Sequence, residues 1–82
     1  MPYINQIARE RIKAGNIKPL SAGELNFAIT SLVHEFLNRV GTSYSTLNEV
    51  IGVLECAKLE LYRRVAAPYE DGAIARNGDL LP

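Results

Sequence analysis

The apolar residues between Tyr44 and Ala66 recur at alternating spacings of three and four, which places them on one face of a helix. The members of this stripe are Leu47, Val50, Leu54, Ala57, Leu61 and Val65. It is the longest uninterrupted helical pattern in the chain, and it predicts a long helix over residues 43–67. A helix of this size is about 35 Å long, so we expect the other elements to pack around it.

A second helix is predicted over residues 21–41. Ser21 and Glu24 have the spacing of a capping box, in which the serine hydroxyl accepts from the amide of residue 24 and the glutamate reaches back. Gly41 is expected to end this helix. The apolar face of the helix consists of Leu25, Ile29, Leu32, Phe36 and Val40.

The connection between the two helices is short. Gly41 is followed by Thr42 and Ser43, either of which can cap the long helix. So short a connection between helices of similar length favours an antiparallel hairpin, in which the two apolar stripes face each other. The sequence therefore predicts an all-α fold built on a two-helix hairpin.

Shorter elements flank the hairpin. Residues 1–20 are expected to form a short helix, which ends at Gly15-Asn16, and a connector. Pro68 is expected to end the long helix, because proline has no amide hydrogen and its ring clashes with the preceding turn. Residues 68–82 then form a short helix and a tail, with Asn77-Gly78 at the end of the helix.

Length, composition and charge limit the class of protein. The 82 residues suit one domain, and a hydrophobic fraction of 48% argues against disorder. Nine Lys and Arg balance nine Asp and Glu, so we do not expect binding of nucleic acid over a broad surface. The single cysteine suits a reducing compartment, and neither a signal peptide nor a membrane-spanning segment is visible. We therefore expect a cytoplasmic protein that does not bind the membrane.

The long helix carries a second apolar face, opposite the main stripe. Gly52, Cys56 and Leu59 lie on it at spacings of four and three, and Phe27 lies on the polar back of the second helix. A chain this small builds little core, so these four residues are candidates for an interface between subunits of a homo-oligomer. The equally weighted alternative is that residues 1–20 or the C-terminal helix cover them within the chain.

Catalytic and cofactor chemistry has little support. His34 is the only histidine and has no second ligand at metal-binding spacing, so no metal site is expected. Cys56 has no histidine in its own helix to activate it, so a buried or interface thiol is favoured over a nucleophile. Phosphate-binding glycine motifs are absent from the sequence. We therefore expect no cofactor and no enzymatic activity.

A polar and aromatic cluster is the strongest candidate for ligand binding. Its members are Tyr62, Arg63, Arg64 and Tyr69. Two arginines beside two tyrosines suit a phosphate and a stacked base. The favoured alternative is structural, with Arg64 paired to Glu60 and Arg63 paired to Glu70 or Asp71. Because adjacent helix positions point about 100° apart, we do not expect both arginines to pair with Glu60.

Several stretches of the sequence resemble a known family. The sequence is similar to a small family of uncharacterised proteins from tailed phages and bacterial genomes, and the similarity covers nearly the whole chain. It departs at Phe27, where the family pattern has tyrosine, and at the Leu80-Leu81-Pro82 ending. The stretches that carry it are Met1-Pro2-Tyr3-Ile4, Leu25-Asn26-Phe27, Asn48-Glu49-Val50-Ile51-Gly52, Leu54-Glu55-Cys56-Ala57-Lys58, Tyr62-Arg63-Arg64-Val65, Pro68-Tyr69-Glu70-Asp71 and Asn77-Gly78-Asp79.

The resemblance implies a phage or prophage origin and no catalytic activity. The resulting expectation is a small phage-type binding protein that neutralises a host component, either by sequestering a nucleotide-like ligand or by binding a host protein. The alternative is a structural or assembly accessory module that binds only protein.

Overall fold

The chain is helical throughout most of its length. A computed structural model describes residues 3–15 and 18–81, so parts of the predicted connector and of both chain ends lie outside the described residues. Within the described ranges there are helices and no strand, which confirms the all-α class. The elements in chain order are α1 (Gln6–Lys13), α2 (Ala22–Val40), α3 (Tyr44–Leu61), a π-helical segment (Tyr62–Ala66) and α4 (Ala67–Asn77).

The elements belong to two compact units, Met1–Thr46 and Leu47–Pro82. The first unit holds α1, α2 and the first residues of α3, and the second holds the remainder of the chain. The hairpin expected from the sequence concerns the placement of one unit against the other. The hairpin and the single domain therefore stay predictions.

α1 is a short helix that packs against α2. The Asn5 side chain caps it by accepting from the amide of Ala8 at 2.9 Å. Gly15, with a φ of +73°, follows its C-terminus, as expected, whereas Asn16 lies outside the described residues. Ala8 is buried, so the small side chain lets the two helices approach each other.

α2 begins and ends where the sequence predicts. The Ser21 hydroxyl accepts from the amide of Glu24 at 3.1 Å, and the Glu24 carboxylate reaches back to the amide of Leu20 at 3.5 Å. Gly41 takes a φ of +93°, which is strained for any residue with a Cβ, and its amide donates to the carbonyl of Leu37 at 2.8 Å.

The connection to α3 is organised by two hydroxyl groups. Ser43 is the cap: its Oγ accepts from the amide of Thr46 at 3.1 Å, and its own amide donates to Thr46 Oγ1 at 2.9 Å. Thr46 Oγ1 also lies 2.9 Å from the carbonyl of Gly41, to which it can donate. The side chain of Thr46 therefore joins the C-terminus of α2 to the N-terminus of α3.

The helical path continues past Pro68 rather than ending there. α3 gives way after Leu61 to a π-helical segment, in which the amide of Ala67 donates to the carbonyl of Tyr62, five residues earlier. Pro68 then occupies the first turn of α4. Since proline lacks an amide hydrogen and crowds the carbonyl four residues before it, the wider turn accommodates Pro68 without breaking the helix. α4 thus begins next to Pro68, near the predicted boundary, but the backbone stays helical across the junction instead of being interrupted there.

Apolar side chains are largely exposed in the single chain. Among the described residues, Ala8 and Val50 are the buried hydrophobic ones. In the two stripes that we expected to form the core, Val50 is buried, whereas Leu32 is 69% exposed and Leu54 is 40% exposed. None of the described helices combines the length and the apolar character needed to cross a membrane.

Thr46→Val should lower the melting temperature, because it removes a hydroxyl that satisfies polar groups at both helix ends. Loss of such a capping interaction costs about 1 kcal/mol. Thermal unfolding followed by circular dichroism measures the change. Ser45→Ala leaves the Ser43–Thr46 bonds intact and is the matched control, so an equal loss in both variants would contradict the assigned cap.

Candidate functional site

A groove lies in the first unit between the C-terminal end of α1 and the polar face of α2. Its volume is about 760 Å³, within the range of roughly 300–1,000 Å³ that is typical of small-molecule sites. Its lining comprises apolar residues and hydroxyl, amide, imidazole and ionic groups: Ile12, Lys13, Phe27, Ala28, Thr30, Ser31, Leu32, His34, Glu35 and Asn38.

Two cations from α1 lie over the ring of Phe27. Arg9 Cζ and Lys13 Nζ are each 5.7 Å from the ring centroid, within range of a cation–π interaction. Arg9 is held in place by a 2.8 Å hydrogen bond from its Nε to the carbonyl of Ile4. α1 thus covers part of Phe27 within the chain, which is one of the two alternatives that the sequence left open. A role for Phe27 between subunits stays a prediction.

The charges around the groove are unequal. The Glu35 carboxylate is paired with Arg39 at 3.1 Å, one turn away on α2. The Lys13 ammonium faces the Phe27 ring and lines the groove itself. An anion in the groove would therefore meet Lys13 beside a carboxylate that is already paired with Arg39. Ser31, His34 and Asn38 supply hydrogen-bonding groups along the same wall.

The two arginines predicted to bind a ligand both contact Glu60. Arg64 Nη1 lies 3.3 Å and Arg63 Nη2 lies 3.9 Å from the same carboxylate oxygen. The expectation that they cannot share Glu60 is wrong, because positions three and four residues further along fall on either side of Glu60, and long side chains reach it from both sides. All three side chains are more than half exposed, so these pairs add little stability.

The two tyrosines of the same cluster face other groups. Tyr69 lies under the guanidinium of Arg76, whose Cζ is 5.8 Å from the ring centroid. The Glu70 carboxylate, which accepts from the neutral Tyr62 phenol and repels the phenolate, raises the pKa of Tyr62, and Asp71 adds to the repulsion. The structure therefore brings the two arginines together at Glu60 but gives each tyrosine a separate partner.

Sequence reasoning missed the groove, although part of its signal is visible. Phe27, Thr30, His34 and Asn38 recur at spacings of three and four, which puts an aromatic ring and three polar groups on one face of α2. The position of α1, which adds Ile12 and Lys13, has no such signal. Among residues 3–15 and 18–81, no group of three or more His, Cys, Asp or Glu side chains is placed to hold a metal ion.

The raised pKa of Tyr62 predicts that the stability of the fold depends on pH in the alkaline range. Because the folded-state pKa lies above the usual value of about 10, the Tyr62–Glu70 contact stabilises the fold below that pH, and its contribution is lost as the pH rises through the folded-state pKa. Glu70→Gln should bring the titration of Tyr62 down towards the usual value. Ultraviolet titration of phenolate, with Tyr62→Phe subtracted, isolates this residue. Glu55→Gln is the matched control, and an unchanged titration in Glu70→Gln would contradict the assigned cause.

Comparison with known proteins assigns the chain to a family. Searches of the curated proteins and of the solved structures found no match. A protein-family model described as "Domain of unknown function (DUF6899)" matches residues 1–80. This match spans both compact units and every helix described above. The chain therefore belongs to the DUF6899 family.

Proposed function

We propose that this chain is a small, non-enzymatic binding protein of phage or prophage origin. In this proposal it acts in the bacterial cytoplasm and neutralises a host component by sequestering a nucleotide-like, phosphate-bearing ligand. The observation that carries the proposal is the groove between α1 and α2, which joins an apolar wall to the Lys13 ammonium.

The chemistry of the groove suits such a ligand. A phosphate can pair with the Lys13 ammonium, and Ser31 and Asn38 can donate to its oxygens or to a ribose. A base can pack against Ile12 and Leu32, which line the same space. Arg9, held over Phe27, adds a second positive charge to this end of the unit.

The groove is a better ligand site than the cluster of Tyr62, Arg63, Arg64 and Tyr69. A phosphate at the arginines would compete with Glu60, which both of them already contact. The tyrosines would have to leave Glu70 and Arg76 to stack on a base. We therefore place the proposed ligand in the groove and retain the cluster as a second position that the experiment below distinguishes.

A structural or assembly accessory module that binds only protein, a host protein included, is the second candidate. Two observations favour it: the arginines are paired within the chain, and the apolar stripe of α3 is exposed. Exposed apolar surface of this kind is characteristic of protein–protein contacts. Under this alternative the groove takes no phosphorylated compound.

Lys13→Gln should abolish a thermal shift produced by a phosphorylated nucleotide. A ligand present at a hundred times its dissociation constant stabilises the fold by about 2.7 kcal/mol, which corresponds to a shift of several degrees in a domain of this size. Differential scanning fluorimetry with mononucleotides, a cyclic dinucleotide and inorganic phosphate supplies the measurement. Lys18→Gln, a matched change at an exposed lysine that does not line the groove, should keep the shift.

The same panel separates the alternatives. A shift that survives in Lys13→Gln but is lost in Arg63→Ala would place the ligand at the arginine cluster. No shift with any compound would favour the protein-binding module. Chromatography of a bound nucleotide after long incubation should recover it chemically unchanged, and recovery of a product would contradict the non-enzymatic assignment.

A further inference from the structure

One face of α3 and the adjoining π-helical segment is exposed and has a symmetric pattern. We call it the Cys56 face, and its members lie within seven residues of Cys56 along the chain and within about 60° of it on either side, at 100° per residue. Cys56 is exposed, Val53 is 66% exposed, and Leu59 is 54% exposed. The members are Glu49, Gly52, Val53, Cys56, Leu59, Glu60 and Arg63.

The pattern is symmetric about Cys56 in position and complementary in charge. Glu49 and Arg63 each lie seven residues from Cys56, and they carry opposite charges. Val53 and Leu59 each lie three residues away, and both are apolar. A helix with these properties matches itself when a second copy runs in the opposite direction.

We propose that α3 pairs with α3 of a second copy of this chain, antiparallel, about a two-fold axis at Cys56. In this arrangement Val53 of each copy packs against Leu59 of the other, on both sides of the central thiols. Glu49 of each copy lies opposite Arg63 of the other, so that two ion pairs close the ends of the apolar contact. Such an isologous interface uses the same surface on both copies.

The charges of Glu49 and Arg63 favour antiparallel over parallel pairing of the two α3 helices. A parallel pair in register would set Glu49 against Glu49 and Arg63 against Arg63, and like charges in contact cost several kcal/mol. Arg63 can exchange its contact with Glu60 for Glu49 of the second copy, because that contact is the longer of the two, at 3.9 Å against 3.3 Å for Arg64, and the Arg63 side chain is 75% exposed. Arg63 lies in the second position of the π-helical segment, and its long side chain tolerates the altered winding.

Gly52 supports the same arrangement. A glycine inside a helix lowers its stability by about 1 kcal/mol relative to alanine. Among the residues that the structure describes, nothing lies within 4 Å of the place that a Cβ of Gly52 would occupy, so no contact among them explains the glycine. In the antiparallel pair, Gly52 lies opposite Glu60 of the second copy, since both are four residues from Cys56. The absence of a side chain there leaves room for that carboxylate.

The inference goes beyond the proposed function and does not depend on it. The Cys56 face belongs to the unit Leu47–Pro82, whereas the groove belongs to the unit Met1–Thr46. Failure of nucleotide binding would leave the pairing intact, and failure of the pairing would leave the groove intact.

Charge reversal tests the pairing directly. Light scattering coupled to gel filtration over a concentration series should show that the wild-type chain self-associates. Glu49→Arg and Arg63→Glu should each raise the dissociation constant at least about tenfold. The double variant, which exchanges the two charges, should restore association to near the wild-type level. Glu55→Arg, on the same helix but outside the Cys56 face, is the matched control.

The contrary results are equally definite. A wild-type chain that stays monomeric at high micromolar concentration would overturn the proposal. Association that is unaffected by the single reversals, or that the double variant fails to restore, would overturn this interface. Circular dichroism of every variant shows whether the helices form, so that a loss of association is not confused with unfolding.

Oxidation of Cys56 gives an independent measure. With diamide as oxidant, two thiols lose two protons and two electrons to the reagent and form one disulfide. The wild-type chain should give a covalent dimer on non-reducing gels, Glu49→Arg should give much less, and the double variant should recover it. Cys56→Ser should give none. Failure of the associated wild-type chain to cross-link would overturn the placement of Cys56 at the axis.

Gly52→Leu should separate the effect of glycine on helix stability from its effect on the approach of the two helices. Since the site is open within the chain, leucine should raise the helicity and melting temperature of the dilute chain. The same side chain should weaken association by keeping the two helices apart. Gly52→Leu that associates as tightly as the wild type would contradict a close approach at this position.

Discussion

Taken by itself, each compact unit leaves apolar side chains of its described helices uncovered, and the rest of the structure depends on this constraint. Ala8 and Val50 are the hydrophobic residues buried among those described, while residues such as Leu32 and Leu54 remain open to solvent. A helix gains most of its stability in a protein from packing its apolar face rather than from its own hydrogen bonds. The long α3 therefore needs a partner surface, and in the pairing proposed above the Cys56 face of one copy is covered by the Cys56 face of another.

The ion pairs add little stability, but they determine which charged side chains remain to contact a ligand or a second copy. The pairs Glu35–Arg39, Glu55–Lys58 and Glu60–Arg64 join neighbours one turn apart on exposed helix surface, where each pair stabilises the fold by less than about 1 kcal/mol. Their effect is to set which charges are already paired. Pairing of Glu35 leaves Lys13 as the charge that an anion in the groove would meet, and the closer Arg64–Glu60 contact lets Arg63 exchange its own, longer contact with Glu60 for another partner.

Part of the candidate site was predictable from spacing, and part was not. The polar face of α2 with Phe27, Thr30, His34 and Asn38 follows from helical periodicity alone. The groove also needs α1, whose position is set by the contact at Ala8 and by the cations over Phe27. For Arg63 and Arg64 the sequence identified the residues but not their partner. We expected the 100° between adjacent positions to prevent both from reaching Glu60, yet they fall on either side of it and both contact it.

The sequence by itself determined the helices and their ends. Ser21, Ser43, Gly41 and Gly78 mark boundaries because a cap is a local event: a side chain bonds an amide three residues away, or a glycine adopts a positive φ that other residues avoid. Tertiary structure decided the groove between α1 and α2, because contacts between residues far apart in the chain leave no periodic trace. The π-helical turn before Pro68 stands between these cases: proline signals a disturbance of the helix in the sequence, but only the structure shows that the helix winds more widely there instead of breaking.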